Sequence, residues 1–285
     1  MTRIAFIGLG TMGYAMAGHL QKHHQVCVFN RTQARAEAWC REFGGQMADS
    51  PAAAATDAKV VFSCVGNDAD VRSVLLGESG ALTAMPAGSL LVDHTTASPA
   101  LARELAALAA AKQIAFMDAP VSGGAEGARN AALSIMCGAS EATFERASPF
   151  LTSYGKRLTL IGEVGAGQAA KMINQICVAG ILQSLAEGLT LADRMGLEVP
   201  RVIDAISQGA ASSWQMQHRW QSMLAGDFAP RFANKWMAKD LGICLDEAAR
   251  HQTDLPATQL IKRFYDELLA QGDGELDITS LMQRL

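Results

Sequence analysis

Three glycines near the amino terminus have the spacing of a phosphate-binding turn. The run has the form GxGxxG and comprises Gly8, Leu9, Gly10, Thr11, Met12 and Gly13, directly after the apolar segment Ile4–Ile7. In this context the first glycine permits a tight turn, the second lets the backbone approach a pyrophosphate, and the third lets helix and strand pack closely. The following helix adds N–H groups and partial positive charge. The run predicts a dinucleotide-binding site, with an ordinary glycine-rich turn as the alternative.

The residues at the end of the second predicted strand favour a phosphorylated ribose. An NAD-specific site carries Asp or Glu there, whereas this chain has Asn30, Arg31 and Thr32. With no carboxylate to repel a 2′-phosphate, Arg31 can pair with it, Thr32 can donate to it, and Arg35 lies one turn further on. We expect NADP(H) as the preferred cofactor and NAD(H) as the second choice. The alternative is that both arginines lie on a solvated helix face.

The elements that must position these residues change in kind near the middle of the chain. Up to Ile161, β-rich runs alternate with helical patterns, which predicts a mostly parallel sheet wrapped by helices. The expected strands are Ile4–Ile7, Val26–Asn30, Val60–Cys64, Leu90–His94, Ala115–Asp118, Leu133–Cys137 and Arg157–Ile161. After Gly162 all patterns are helical, beginning with one long helix over about residues 168–195. We expect an α/β Rossmann-type domain over residues 1–163 and an all-α substrate and oligomerisation domain over residues 164–285.

A second candidate site follows the strand Ala115–Asp118. Open parallel sheets bind ligands at the carboxyl ends of their strands, and Ser122, Gly123 and Gly124 lie just beyond this one. Consecutive backbone N–H groups and a hydroxyl suit a carboxylate. The segment therefore predicts a small carboxylate-bearing substrate, although a flexible turn uses the same residue types.

Several ordered motifs resemble the 3-hydroxyisobutyrate dehydrogenase family, also called β-hydroxyacid dehydrogenases, which includes tartronate semialdehyde and glyoxylate/succinic semialdehyde reductases. The resemblance spans nearly the full length. Its motifs are residues 8–13, Asp93-His94-Thr95-Thr96, the run from Asp118 to Gly124, Gly165-Ala166-Gly167 through Lys171 and Asn174, and Lys239-Asp240. The second motif departs slightly from the family's Asp-x-Ser-Thr but keeps both hydroxyls.

The resemblance implies that Lys171 is the general acid and base. Reduction places negative charge on the carbonyl oxygen, which an ammonium can stabilise and protonate; in oxidation the neutral amine removes the hydroxyl proton, and burial that lowers the pKa from about 10.4 would help. Asn174 lies on the same helix face and can hold the substrate or the lysine. Without the resemblance, a solvated lysine is the better interpretation.

The resemblance also implies further contacts. Ser122, Gly123 and Gly124 would hold the substrate carboxylate, with Thr95 beside the substrate. Thr96, Cys64, Val65, Lys239 and Asp240 would face the cofactor, although residues 64–66 also suit a simple strand–helix turn. Trp214 and Phe232 are weaker candidates for lining the substrate site, because aromatic residues at helical spacing are more often core.

Composition excludes several classes of function. The chain has 285 residues, 49% of them hydrophobic, and a formal net charge of -4 with scattered Lys and Arg, so nucleic-acid binding is not expected. We recognise no signal peptide or uninterrupted membrane-length apolar run and expect a cytoplasmic protein without a membrane partner. The six cysteines are far apart and the six histidines lack metal-site spacing, which predicts reduced core thiols and no metal site.

Together these patterns predict an NADP(H)-preferring oxidoreductase that interconverts a small 3-hydroxy acid and its semialdehyde. Candidate substrates are 3-hydroxyisobutyrate, glycerate or tartronate semialdehyde, succinic semialdehyde or glyoxylate, and serine. The family implies a homodimer or homotetramer, for which the Ala-rich long helix offers a surface. One alternative is an imine or other carbonyl reductase on the same scaffold, for which a residue other than lysine would be expected at position 171. The other is a cofactor-binding interaction module without catalysis.

Overall fold

Short apolar runs form the strands of one sheet. In the computed structural model, which describes residues 1–285, the sheet has nine strands. They are β1 (Arg3–Ile7), β2 (Gln25–Phe29), β3 (Gln46–Met47), β4 (Val60–Ser63), β5 (Leu90–Asp93), β6 (Ala115–Asp118), β7 (Val121–Ser122), β8 (Leu133–Gly138) and β9 (Gly155–Gly162). Every residue of β4 and β5 is buried, as expected where helices cover both faces of a parallel sheet.

The strand order brings the carboxyl ends of the central strands to one edge. The first six strands lie in the order β3-β2-β1-β4-β5-β6, and neighbouring strands are parallel. Strand β8 runs antiparallel to β6 and β7, and β9 is parallel to β8. The register pairs Ser63 with Asp93 and Asp93 with Asp118, so these strand ends lie side by side. Chain order reverses between β1 and β4, the type of position where such sheets bind ligands.

Eight helices pack on the sheet. They are α1 (Gly13–Gln21), α2 (Gln33–Phe43), α3 (Pro51–Ala55), α4 (Asp68–Leu76), α5 (Ala81–Ala84), α6 (Pro99–Ala110), α7 (Gly124–Arg129) and α8 (Glu141–Leu151). Alternate residues of β1 enter two separate cores, Ile4 and Phe6 on one face and Ala5 and Ile7 on the other. This alternation is the two-residue period of a strand buried on both sides.

Only helices follow β9. They are α9 (Ala166–Arg194), α10 (Val199–Ile206), α11 (Trp214–Leu224), α12 (Asn234–Arg250) and α13 (Pro256–Ala270), with 3₁₀ helices over Asp273–Glu275 and Ile278–Arg284. By length and composition alone α9 could cross a membrane. Its buried side, however, packs Ala179, Leu182 and Leu189 into an apolar core, which identifies it as a core helix.

The chain divides into two compact units, Met1–Lys171 and Met172–Leu285, with the division inside α9. The first unit therefore extends past the predicted boundary at residue 163, because the first turn of α9 is hydrogen-bonded to the sheet edge through Asp118. The predicted fold class is confirmed. Strands β3 and β7 and the two 3₁₀ helices are not predicted by the sequence, since runs this short carry no periodic pattern.

Candidate active site

The glycine turn between β1 and α1 is shaped by contacts on two of its three glycines. Gly8 has φ +95°, and a Cβ there would lie 2.3 Å from the carbonyl oxygen of Cys64. A Cβ at Gly13 would lie 2.0 Å from the carbonyl oxygen of Gly8. A Cβ at Gly10, by contrast, would meet no protein atom within 4 Å. Internal packing therefore accounts for the first and third glycines, whereas the space at Gly10 suits close approach of a ligand to the backbone.

The amino terminus of α1 suits an anion. Its N-cap residue, Met12, makes no side-chain capping bond, and its first turn holds no acidic residue. Helix α6, by contrast, is capped by the side chain of Ser98. Thr11 in the preceding turn is exposed. An uncapped helix start next to a glycine turn presents N–H groups and partial positive charge to phosphate.

Two side chains after β2 hold the glycine turn in place. The Oδ1 atom of Asn30 accepts from the N–H of Leu9 at 2.9 Å, and the Nε atom of Arg35 donates to the Leu9 carbonyl oxygen at 2.9 Å. Arg35 also lies over the ring of Tyr14, 4.5 Å from its centroid. The sequence predicts these residues at a ribose phosphate. The structure gives Arg35 a supporting contact with the turn.

Arg31, the next residue after Asn30, is an exposed cation. Its Nη1 atom lies 3.2 Å from Oδ1 of Asp70, and its side chain is 88% exposed. Thr32 is the N-cap residue of α2 but makes no side-chain capping bond. Asp70, in the first turn of α4, was not identified by sequence reasoning, because 39 residues separate it from Arg31. An exposed pair of this kind is weak, so an incoming phosphate can replace the carboxylate.

Thr95 belongs to the framework of the sheet edge. The Oγ1 atom of Thr95 accepts from the N–H of Val65 at 3.0 Å, and Asp93 Oδ1 accepts from the N–H of Thr95 at 3.1 Å. Thr95 is only 1% exposed. The hydroxyl therefore supports the loop of Val65, and the contact of Thr95 with substrate stays a prediction. Thr96 and Cys64 are half-buried at the same edge.

His94 is neutral and structural. Burial lowers the pKa of His94 to about 4. Its Nδ1 atom lies 2.6 Å from the carbonyl oxygen of Ala119 and its Nε2 atom 2.8 Å from the hydroxyl of Tyr154. The proton therefore resides on Nδ1, where it meets a carbonyl acceptor, and Nε2 accepts from the tyrosine hydroxyl. The imidazole joins β5 to the segment after β6.

The segment from Ser122 to Gly124 forms the start of α7. Ser122 ends β7, Gly123 is the N-cap residue with φ +130°, and Gly124 has φ +64°. Neither glycine conformation is readily adopted by other residues. A Cβ at Gly124 would meet no protein atom within 4 Å. Both glycines are exposed, and a turn of this kind next to a serine supplies backbone N–H groups and a hydroxyl of the types that hold a carboxylate.

Lys171 is 7% exposed and lies near the start of α9. Asp118 contacts the start of the same helix, because its carboxylate accepts from the N–H of Gly165 at 2.7 Å and from the N–H of Gln168 at 2.8 Å. Burial raises the pKa of Asp118 to about 6, so the group is ionised at neutral pH. Asp118 begins the family-like run Asp118–Gly124, but the sequence alone does not predict its contacts with Gly165 and Gln168. The signal for such a role is a carboxylate at the carboxyl end of a buried strand.

In the second unit, two hydrogen bonds and an ion pair link four polar side chains in series. Asn174 donates to Gln175 at 2.7 Å, Gln175 donates to Oδ2 of Asp240 at 2.6 Å, and Nζ of Lys239 lies 3.0 Å from Oδ1 of Asp240. Gln175 and Asp240 are buried. Gln175, four residues after Lys171, was also not identified by sequence reasoning, although this spacing puts both on one helix face.

The two aromatic candidates have different surroundings. Trp214 is 51% exposed at the start of α11, where it stacks on His218 with ring centroids 4.5 Å apart. Phe232 is partly buried and packs against the core of the second unit. The exposed indole is therefore available to a ligand, whereas the phenyl ring contributes chiefly to packing.

Comparison with known proteins is consistent with this arrangement. Residues 3–162 match the family model of the NAD binding domain of 6-phosphogluconate dehydrogenase. Residues 165–285 match the family model described as NAD-binding of NADP-dependent 3-hydroxyisobutyrate dehydrogenase. The chain is 36% identical to 3-hydroxyisobutyrate dehydrogenase of Pseudomonas aeruginosa, over 99% of this chain and 98% of that protein.

Two solved structures are similar over nearly the whole chain. The structure of Mycobacterium tuberculosis 3-hydroxyisobutyrate dehydrogenase with L-serine has a TM-score of 0.89 and 31% identity, covering 100% of this chain and 99% of that one. The structure of Psf3 in complex with NADP+ and 2-OPP has a TM-score of 0.90 and 25% identity, covering 99% of each chain.

Substitution of Gly10 by Ala tests whether the turn is shaped for a ligand. Because the added methyl group contacts no protein atom, Gly10→Ala should change the unfolding temperature by less than about 2 °C. The methyl group would occupy the surface that a pyrophosphate approaches. The Kd for NADPH should therefore rise at least about tenfold, equivalent to about 1.4 kcal/mol. Thermal unfolding and fluorescence titration measure the two quantities.

The matched control is Gly274→Ala, since a Cβ there would clash with no atom and would meet its nearest neighbour at the ordinary contact distance of 3.8 Å. It should change neither quantity. Gly13→Ala should lower stability because its Cβ clashes with the Gly8 carbonyl oxygen. A Gly10→Ala protein that binds NADPH as tightly as wild type would contradict a ligand at this turn.

Proposed function

The chain belongs to the 3-hydroxyisobutyrate dehydrogenase family of NAD(P)-dependent hydroxyacid dehydrogenases, and from that premise we propose an NADP(H)-preferring reaction with Lys171 as general acid and base. The substrate is a small 3-hydroxy acid or its semialdehyde. The observation that carries the proposal is the burial of Lys171, which is 7% exposed on the helix whose first turn is hydrogen-bonded to the sheet edge through Asp118. A lysine is rarely buried without a partner or a task.

The residues of the turn fit a nicotinamide dinucleotide. The open space at Gly10 and the uncapped start of α1 would receive the pyrophosphate, and Arg31 would pair with the 2′-phosphate. When bound, the nicotinamide supplies or accepts the hydride at the substrate's carbon. The protein must then orient the substrate and move one proton.

Lys171 performs the proton step. In reduction its ammonium donates a proton to the carbonyl oxygen as the carbon receives two electrons and a hydrogen, which leaves a hydroxyl group and a neutral amine. Solvent then returns the proton to the amine. In oxidation the neutral amine takes the hydroxyl proton while the hydride leaves, so charge and atoms balance in both directions.

The substrate is held by its carboxylate. Ser122 and the N–H groups of Gly123 and Gly124 offer a hydroxyl and backbone donors in the conformation of an anion-binding turn. L-Serine, which is in the structure of the Mycobacterium tuberculosis relative, carries both a carboxylate and a 3-hydroxyl group. A carboxylate is common to all the candidate substrates, so the turn supports the class and not one member.

The polar chain through Gln175 supports two further roles. Asn174 would contact the substrate or the lysine, and Lys239, fixed by Asp240, would contact the cofactor. The 3.0 Å ion pair and the 2.6 Å hydrogen bond on the two oxygens of Asp240 hold that carboxylate in one orientation. Trp214 would contribute to substrate size selection.

We also propose a cytoplasmic homo-oligomer. All six cysteines are free, as is usual in a reducing compartment. Ile173 and Leu191 on α9 and Met195 directly after it are exposed, and an apolar strip of this kind is typical of a surface covered by a second copy.

Lys171→Ala should lower kcat for reduction of semialdehydes by about 100- to 10,000-fold, the usual range for a lost general acid. The Kd for NADPH should stay within about threefold of wild type, because the lysine acts on the substrate. Stopped-flow turnover and fluorescence titration measure these effects across a panel of candidate substrates. The matched control is Lys262→Ala, which removes a partly buried lysine paired with Asp266. Near-normal turnover by Lys171→Ala would contradict the proposed mechanism.

A wild-type protein that binds NADPH but turns over none of the candidate substrates would favour the alternative of a cofactor-binding interaction module without catalysis.

Arg31→Ala should raise the KM for NADPH about 10- to 100-fold, as expected for a lost hydrogen bond between charged groups. The KM for NADH should change by less than about twofold. Asp70→Asn should lower the KM for NADPH, because it removes the carboxylate that pairs with Arg31. Arg201→Ala serves as control, since Arg201 is likewise exposed and paired, with Glu198. Equal effects of Arg31→Ala on both cofactors would refute its contact with the 2′-phosphate.

A further inference from the structure

Asp118 joins the sheet edge to the start of α9. It ends β6, and both oxygens of its carboxylate accept backbone N–H groups, Oδ1 from Gly165 and Oδ2 from Gln168. The carboxylate is fully buried. An ionised group that accepts two N–H groups at a helix start forms strong, directional hydrogen bonds. The carboxylate therefore fixes the first turn of α9 both in its position along the helix axis and in its rotation about that axis.

Two glycines allow this close contact. A Cβ at Gly138 would lie 2.4 Å from Oδ1 of Asp118, and a Cβ at Gly167 would lie 2.4 Å from the Met136 carbonyl oxygen and 2.8 Å from Oδ2 of Asp118. The obstructing atoms are backbone oxygens and a fixed carboxylate, which cannot turn aside as the end of a flexible side chain can. The start of α9 is thus pressed directly against the ends of β6 and β8.

Gln168 adds a second attachment on the same turn. Its Nε2 atom donates to the Thr95 carbonyl oxygen at 2.7 Å, and its Oε1 atom accepts from the N–H of Ala97 at 3.0 Å. Thr95 in turn accepts from the N–H of Val65 through its hydroxyl. Continuous hydrogen bonds therefore run from the loop after β4, through the loop after β5, to the first turn of α9.

Lys171 lies three residues after Gln168, which is nearly one helical turn. Ser122 lies four residues after Asp118 on the other side of this attachment. Lys171, which is proposed to move the proton, and Ser122, which is proposed to hold the substrate carboxylate, therefore both lie within a few residues of the hydrogen bonds that join Asp118 to the first turn of α9. An error in the position of the helix of about 1 Å would misplace the amine relative to the substrate oxygen.

We propose that Asp118 and Gln168 are positioning residues of the reaction, which act by fixing the first turn of α9 so that Lys171 meets the substrate oxygen. They do not touch substrate or cofactor. This inference rests on the proposed role of Lys171. It predicts a loss of turnover that depends on the presence of the lysine.

The test is a double-mutant cycle between Asp118→Asn and Lys171→Ala. Asparagine keeps the shape of the side chain but sets an NH₂ group against a backbone N–H group. Asp118→Asn alone should lower kcat at least about 30-fold, with the Kd for NADPH within about threefold. In the Lys171→Ala background the same substitution should lower the residual rate less than about twofold, because the group that it positions is gone. Single-turnover rates with saturating NADPH measure each step.

Matched controls separate positioning from stability. Ser140→Ala removes the capping side chain of α8, which accepts from the N–H of Thr143, and should leave kcat unchanged despite a lower unfolding temperature. If Asp118→Asn does not fold, Gln168→Ala replaces it in the same cycle. Its control is Gln183→Ala, another buried glutamine of α9, which donates to Glu187.

The outcomes are distinct. Unchanged kcat in folded Asp118→Asn and Gln168→Ala overturns the inference, and so does an equal fractional loss with and without Lys171. A loss confined to proteins that contain Lys171 supports it. Near-normal turnover by Lys171→Ala alone contradicts the proposed function itself. This single variant is measured before the double variant is made, so the two failures are distinguishable.

Discussion

Two hydrogen bonds, from the N–H groups of Gly165 and Gln168 to the carboxylate of Asp118, are the contact on which the geometry of the proposed site depends. They connect the two kinds of element in the chain, a strand of the parallel sheet and the long helix that carries Lys171. Desolvation makes this carboxylate costly to bury, which is why its pKa rises to about 6. The protein stabilises it with backbone donors and the positive end of a helix, and in return the helix start has a fixed position.

The loops that carry other predicted site residues lie at the same edge of the sheet, because β1, β4, β5 and β6 are parallel and their last residues are paired in register. The glycine turn follows β1, Val65 lies beyond β4, and Thr95 and Thr96 lie beyond β5. These loops are held by hydrogen bonds to neighbouring loops and helices as well as by their own strands. Thr95 illustrates the point, because its hydroxyl supports the loop of Val65 and its carbonyl oxygen accepts from Gln168.

Much of the fold could be predicted from the sequence, because apolar runs, glycine and proline positions and helix caps are local signals. The confirmed α/β and all-helical classes rest on them, and Ser98 and Pro99 begin α6 as their types indicate. The predicted residues of the site rest partly on local turn patterns and partly on the family resemblance. Contacts between distant residues were beyond this reasoning: 50 residues separate Gln168 from Asp118 and 65 separate Gln175 from Asp240. For the same reason the sequence does not predict the hydrogen bond between the hydroxyl of Thr95 and the N–H of Val65, 30 positions away.

The central claim is that a primary amine at position 171 exchanges a proton with the substrate oxygen. Chemical rescue tests it most directly: Lys171→Ala is supplied with methylamine, ethylamine or trimethylamine, and semialdehyde reduction by NADPH is measured across pH. The account predicts saturable recovery with the protonated primary amines, and weaker recovery with the bulkier trimethylammonium ion. No recovery with any amine, or equal recovery with an uncharged alcohol of the same size, would contradict it.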